Sequence, residues 1–146
     1  MTPELLEDLR RDEGLRLEAY ADPKSGGAPW TIGYGHTAGV KPGDTITEAE
    51  AEYELIGDVT AAERALDLLA PWWRRLDQVR QDAVTELAFN LGASKLVREF
   101  PDTMSAIKGG AFAVAGADLA ADQWAKDVGP GRSGRIISML KTGARP

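Results

Sequence analysis

The chain has 146 residues, a formal net charge of −6 and no cysteine, which suits one compact domain that buries a core without cross-links. The absence of cysteine excludes disulfides, thiolate metal sites and a cysteine nucleophile, and the single histidine, His36, excludes multi-histidine zinc sites. The acidic balance, without any run of five Lys or Arg, disfavours nucleic acid as a partner, and we expect neither a metal nor a cofactor.

The first residues predict a short amphipathic helix. Thr2 and Pro3 suit the N-cap and first position, and apolar residues recur at helical spacing until Gly14. Glu13 stands at the end of this helix. The stretch contains no apolar run of the kind found in secretory signals or membrane spans, so we expect a cytoplasmic protein without membrane insertion.

The next segment, 15–37, predicts a β-hairpin. "LRLEAY" alternates apolar and polar residues, "DPKSGGAP" has turn chemistry, and "WTIGYGHT" is rich in β-formers and glycine. Gly33 and Gly35 alternate along the expected second strand. Their missing side chains would let a ligand approach the backbone, and a conformational need at a tight bend explains them equally well.

The remainder of the chain predicts helices. Thr47 and Glu50 form a capping box that starts a long helix through about Leu69, where Pro71 stops it. Asp77 caps an apolar helix that Gly92 closes. Shorter helices are expected over 102–108, 111–124 and 132–141. The predicted class is α+β, mostly helical, with one small antiparallel sheet near the N-terminus.

Two carboxylates, Glu13 and Asp22, flank the change from helix to hairpin. A protonated acid and an ionised partner facing one cleft suit hydrolysis of a glycosidic bond, because one protonates the leaving oxygen while the other assists water or the developing positive charge. A salt bridge from Glu13 to Arg10 or Arg16 is the alternative explanation of that glutamate.

The stretch "RRDEGLRLEAYADPKSGGAPWTIGYGHT" resembles the phage-type lysozymes, the endolysins or muramidases of bacteriophages. The resemblance continues in order through "GVKPGDTITEAEAEYELIGDV", "DQVRQDAVTELAFNLG" and "GRSGRIISMLKTG". It implies a single lysozyme-like domain over residues 1–146 with two lobes, the hairpin lobe at about 14–46 and a helical lobe formed by the rest.

The resemblance also implies catalytic roles. Glu13 would be the general acid, Asp22 the ionised partner, and Thr31 would hold the attacking water with Asp22. Eight residues, 23–30, separate Asp22 from Thr31, whereas the family usually has five. We expect the additional residues to lengthen the hairpin tip without moving its strands.

Other residues receive roles from the same resemblance. His36 and Asp58 would form a structural ion pair between the hairpin and the long helix. The residues expected to bind substrate are Gly35, Thr37, Phe89 and Thr103. For Phe89, a place in the hydrophobic core is an equal alternative.

The implied activity is hydrolysis of the β-1,4 bond between N-acetylmuramic acid and N-acetylglucosamine in bacterial peptidoglycan, without a cofactor. The implied partners are the glycan strands and a separate holin-type permeabilising protein, which would release a monomeric enzyme from the host cytoplasm to the wall. The alternatives are a lytic transglycosylase that cleaves the same bond and a catalytically silent wall-binding module.

Overall fold

The structure, a computed structural model, describes residues 1–146 and confirms the α+β class. The chain forms two compact units, Met1–Ala61 and Ala62–Pro146. No helix is both long and apolar enough to cross a lipid bilayer. The elements, in chain order, are α1 (Pro3–Glu13), β1 (Arg16–Tyr20), β2 (Thr31–Gly33), α2 (Glu48–Leu69), a 3₁₀ helix (Pro71–Arg75), α3 (Gln78–Leu91), α4 (Ala93–Glu99), α5 (Pro101–Lys108), α6 (Phe112–Ala121), α7 (Gln123–Val128) and α8 (Pro130–Thr142).

Helix α1 begins and ends where its sequence predicts. The Thr2 hydroxyl accepts a hydrogen bond of 3.1 Å from the backbone N–H of Leu5, which satisfies a donor that the first turn leaves without an intrahelical partner. Gly14 ends the helix with φ +67°, a conformation that glycine adopts at little cost. Leu5 and Leu9 are fully buried, so the apolar stripe of the helix fixes which face points inward.

Strands β1 and β2 form the predicted antiparallel hairpin. Arg16 pairs with Gly33 and Tyr20 pairs with Thr31, so β1 has two more residues between these pairs than β2 has. The middle of β1 bonds instead to the segment 44–46, through backbone hydrogen bonds of 2.9 and 3.0 Å. The sheet is thus a short ladder with an irregular centre, which increases local twist.

The long helix α2 starts with the predicted capping box. The Thr47 hydroxyl accepts from the Glu50 backbone N–H at 3.1 Å, and the Glu50 carboxylate accepts from the Thr47 backbone N–H at 3.2 Å. The helix ends at Leu69, and Pro71 begins the 3₁₀ helix because proline lacks the N–H that a continued α-helix requires. The predicted boundaries are confirmed.

The second unit packs around α3. The Asp77 carboxylate caps this helix by accepting from the Arg80 N–H at 3.1 Å, and Gly92 ends it with φ +86°. Both limits agree with the prediction. The fully buried apolar side chains of this core, each less than 2% exposed, include Leu66, Trp73, Leu87, Leu96, Ile107, Leu119, Ile136, Met139 and Leu140.

One helix was missed by the prediction, and one predicted helix is divided. The segment Ala93–Glu99 is a helix that no local pattern indicated. The predicted helix over 111–124 is divided at Asp122, whose backbone is extended at φ −79° and ψ 150°. Its carboxylate accepts a hydrogen bond of 2.8 Å from the Trp124 N–H and caps α7. The break turns Trp124 into the core, where it is 4% exposed.

Replacement of this cap should weaken the second unit. We expect Asp122→Ala to lower the free energy of unfolding by about 1 kcal/mol, because the first turn of α7 loses its side-chain acceptor. Urea denaturation followed by circular dichroism measures this. Asp118→Ala, which removes an exposed carboxylate within α6, is the control and should change the free energy by less than about 0.5 kcal/mol. Equal effects of the two substitutions would contradict the capping role.

Candidate active site

Glu13 is the last residue of α1, and its half-buried carboxyl group borders the backbone of Gly35. A Cβ atom added at Gly35 would lie 2.7 Å from Glu13 Oε2 and 3.0 Å from Glu13 Cδ. No side chain fits between the two residues. The absence of a side chain at Gly35 therefore permits the approach of this backbone to the carboxyl group.

Residues 32–36 form a tight turn, here named the glycine turn. Ile32 and His36 exchange two backbone hydrogen bonds of 2.9 Å, and the chain reverses between them. Gly33 has φ +64° and Gly35 has φ +77°. The expectation that both glycines lie along the second strand is wrong for Gly35, because β2 ends at Gly33 and the next residues turn. A conformational need at a tight bend therefore explains the glycine at both positions, because each has a positive φ.

Asp22 begins a second turn, which contains the additional residues of the hairpin. Its backbone N–H donates to the Gly27 carbonyl at 2.9 Å, and its carbonyl accepts from the Gly26 N–H at 2.8 Å. Its carboxylate also faces the Lys24 backbone N–H at 3.4 Å. The long tip thus closes on itself, and Thr31 still pairs with the last residue of β1.

The two candidate catalytic acids lie beyond opposite ends of β1. Glu13 precedes the strand by three residues, and Asp22 follows it by two. Thr31 begins β2 at the end of the ladder where Asp22 lies, and Gly35 meets Glu13. The first unit therefore contains Glu13, Asp22 and Thr31, the three residues expected to perform catalysis.

The arginines considered as partners of Glu13 have other partners. Arg10 donates from Nε at 3.0 Å and from a terminal nitrogen to the carboxylate of Glu52, which joins α1 to α2. The Arg16 guanidinium lies over the Tyr20 ring, 4.5 Å from its centroid. The hydrogen bond from Arg10 lowers the pKa of Glu52 below its ordinary value, since it favours the ionised carboxylate.

This ion pair should make stability depend on pH. We expect Glu52→Gln to lower the free energy of unfolding at pH 7 by about 0.5 kcal/mol, a small value because the Arg10 and Glu52 side chains are 37% and 33% exposed. The pKa of Glu52 is lower in the folded state, so its contribution is complete above the ordinary pKa of 4.5 and is lost as pH falls through the folded value.

Melting temperatures of the wild type and Glu52→Gln at pH 7 and pH 3 test this dependence. The difference between the two proteins should shrink at the lower pH. Glu48→Gln, at an exposed glutamate of the same helix, is the control. A difference that is constant with pH would contradict the assignment.

His36 contacts two carboxylates of α2. Its Nδ1 lies 2.8 Å from Asp58 Oδ2, the partner that the resemblance implies, and its Nε2 lies 3.4 Å from Glu54 Oε2. The sequence interpretation missed Glu54. The available signal was its spacing of four residues from Asp58, which places both on one face of the predicted helix. Thr37 follows His36 and is exposed to solvent.

Phe89 and Thr103 belong to the second unit. Phe89 is half-buried on α3 and lies outside the hydrophobic cluster that includes its neighbours Leu87 and Ala88. Thr103 is 4% exposed on α5 and lines a cavity of about 320 Å³ whose wall also contains Asp102 and other acidic residues.

Comparisons with known proteins identify the family of the chain. A family model described as phage lysozyme matches residues 10–140. The endolysin of Acyrthosiphon pisum secondary endosymbiont phage 1 is 38% identical over 86 residues, which cover 58% of this chain and 54% of that protein. The endolysin of Salmonella phage P22 is 41% identical over 91 residues, 59% of each protein. The chain thus spans somewhat more than half of each endolysin.

A probable T4-type lysozyme 1 of Dictyostelium discoideum is 25% identical over 169 aligned residues, with 98% of this chain and 96% of that protein covered. The stretch matched by the family model includes Glu13, Asp22 and Thr31 and continues through α3 to α8. Since the match covers both units and most of the chain, the protein belongs to the phage lysozyme family.

Proposed function

We propose that this protein is a lysozyme that hydrolyses the β-1,4 bond between N-acetylmuramic acid and N-acetylglucosamine in peptidoglycan. The observation that carries the proposal is the location of Glu13 and Asp22 at the two ends of β1, within the stretch matched by the phage lysozyme family. Two carboxyl groups of different roles are what glycosidic hydrolysis requires.

In the proposed mechanism, protonated Glu13 donates its proton to the glycosidic oxygen, and the bond between that oxygen and the anomeric carbon breaks. A water molecule oriented by Asp22 and Thr31 adds its oxygen to the anomeric carbon, and the proton that it loses passes to Asp22. Exchange with solvent then restores the proton on Glu13 and removes the proton from Asp22. The net reaction adds one water molecule.

Four residues are proposed to contact the substrate. Gly35 and Thr37 follow the hairpin of the first unit, and Phe89 and Thr103 lie on α3 and α5 of the second unit. The backbone of Gly35 is supported in this role by its approach to Glu13. Phe89 is supported by its half-buried place on α3 outside the hydrophobic cluster, since an aromatic ring can pack against the apolar face of a sugar.

In its biological setting, we propose that a monomeric enzyme accumulates in the host cytoplasm and acts on the wall at the end of infection. A holin-type permeabilising protein would give it access to the glycan strands. The function would then be release of phage by host lysis.

The products distinguish hydrolysis from its alternatives. Mass spectrometry of fragments released from purified peptidoglycan should show reducing sugars that contain one added water. Anhydro fragments lighter by one water would show a lytic transglycosylase. Binding without release would show a silent wall-binding module. The anomeric form of the first product, followed by NMR, then distinguishes inversion from retention.

A further inference from the structure

The glycine turn is attached to one face of α2 at both of its ends. An added Cβ at Gly33 would lie 3.2 Å from the Cβ of Ala51, so the two backbones are in close contact. At the other end, His36 contacts Glu54 and Asp58. Positions 51, 54 and 58 are spaced by three and four residues, which places them on one face of an α-helix.

Gly35 lies between these two attachments, and its backbone borders the carboxyl group of Glu13. The His36 side chain is only 13% exposed, so its ring is enclosed as well as held by charge. A change in how α2 holds His36 therefore changes the position of the adjoining Gly35 peptide. A Cβ at position 35 would lie 2.7 Å from Glu13 Oε2, so a movement of this backbone toward the carboxyl group would meet it.

We propose that Glu54 is a positioning residue for the acid Glu13. With Asp58 it holds the two nitrogens of the His36 ring, and through that ring it sets the Gly35 backbone against the Glu13 carboxyl group. The Asp58 carboxylate is hydrogen-bonded to Nδ1 at 2.8 Å, and the Glu54 carboxylate lies 3.4 Å from Nε2. The inference rests on the proposed role of Glu13 as general acid.

The distances set the size of the expected effect. Asp58 is 2.8 Å from its ring nitrogen, whereas Glu54 is 3.4 Å from the other and 39% exposed. Removal of Glu54 should therefore loosen the ring without releasing it. We expect Glu54→Ala to lower kcat about threefold to tenfold, less than the roughly 100-fold loss that a 1 Å misplacement can cause. KM should change by less than about twofold, since substrate contacts remain.

Conservative and distant substitutions separate positioning from a general effect of charge. Glu54→Gln keeps a polar side chain of the same length beside the ring, so it should recover most of the lost kcat. Glu48→Ala removes an exposed carboxylate from the first turn of the same helix and should have wild-type kinetics. A loss in Glu54→Gln equal to that in Glu54→Ala, or an equal loss in Glu48→Ala, would overturn the proposal.

NMR spectroscopy tests the coupling without an activity assay. In Glu54→Ala, the Gly35 amide and the Glu13 side-chain carboxyl carbon should shift, and in Glu48→Ala they should not. Unchanged signals in Glu54→Ala would overturn the proposal even if the enzyme is active. Shifted signals with an unchanged kcat would show that Glu54 affects the turn but not catalysis, which also overturns the proposal. A wild-type protein without hydrolase activity would instead refute the proposed function, while these signals still decide whether Glu54 positions Glu13.

Discussion

Replacement of Glu13 by glutamine should reduce the rate of peptidoglycan clearing by about three or more orders of magnitude. The amide has nearly the same shape as the carboxyl group but has no acidic proton to give to the glycosidic oxygen. The packing against Gly35 should persist, so the loss is expected in kcat rather than in folding. Turbidity of a suspension of purified cell walls, followed over time, measures the rate.

The matched control is Glu7→Gln, which makes the same substitution at an exposed position of α1. It should clear the suspension at the wild-type rate. Both variants should melt within about 2 °C of the wild type, which corresponds to about 0.6 kcal/mol for a chain of this size. Clearing by Glu13→Gln at a rate near that of the wild type would remove Glu13 from the role of acid.

Gly35→Ala is expected to have the second largest effect on activity, a loss of about 100-fold. The new methyl group would lie 2.7 Å from Glu13 Oε2, a distance at which the carboxyl group or the glycine turn must move. Alanine at φ +77° also costs about 1–2 kcal/mol in backbone energy, so the melting temperature should fall as well. The two consequences have different causes and need to be separated.

Gly39→Ala separates the loss of activity from the loss of stability. Gly39 has a similar φ of +71°, but an added Cβ there would meet nothing within 4 Å. We expect the two variants to lose similar stability in urea denaturation, whereas only Gly35→Ala loses most of its activity at a temperature where both are folded. Similar activity in the two variants would show that contact between position 35 and Glu13 does not affect catalysis.

The limits of the helices were largely predictable because they depend on neighbouring residues. Thr2, Thr47 and Asp77 each cap a helix through a hydrogen bond to a backbone N–H three residues away. Gly14 and Gly92 end helices at positive φ. Interactions of this range are encoded in a few adjacent positions, so the sequence is sufficient to locate them.

The break at Asp122 shows where this local encoding is ambiguous. An aspartate within a helix costs only a fraction of 1 kcal/mol, so the sequence permits either a continuous helix or a cap. Burial of Trp124 and the bond from its indole N–H to Asn90, at 2.9 Å, accompany the break. Asn90 is 34 residues away in the sequence, and its contribution becomes evident only in the folded chain.

The candidate site also combines residues that the sequence identifies with contacts that only the folded chain shows. The motif resemblance identified Glu13, Asp22 and Thr31 as candidates, because their order and sequence context are those of the phage-type lysozymes. It did not identify Glu54, although the helical spacing of this residue from Asp58 was visible. That spacing has a meaning only when the position of His36 beside α2 is known.

By itself, the sequence determined the α+β class, the helix caps and the hairpin, since each depends on residue types and short spacings, and its resemblance to a family indicated the type of chemistry. Only the tertiary structure decided which backbone borders Glu13, which carboxylates hold His36, and which partner Arg10 takes. These contacts join residues 18 to 42 positions apart. Such pairs form when packing of the first unit excludes the many other partners that an acidic sequence offers. Short sequence patterns do not specify which partner is taken.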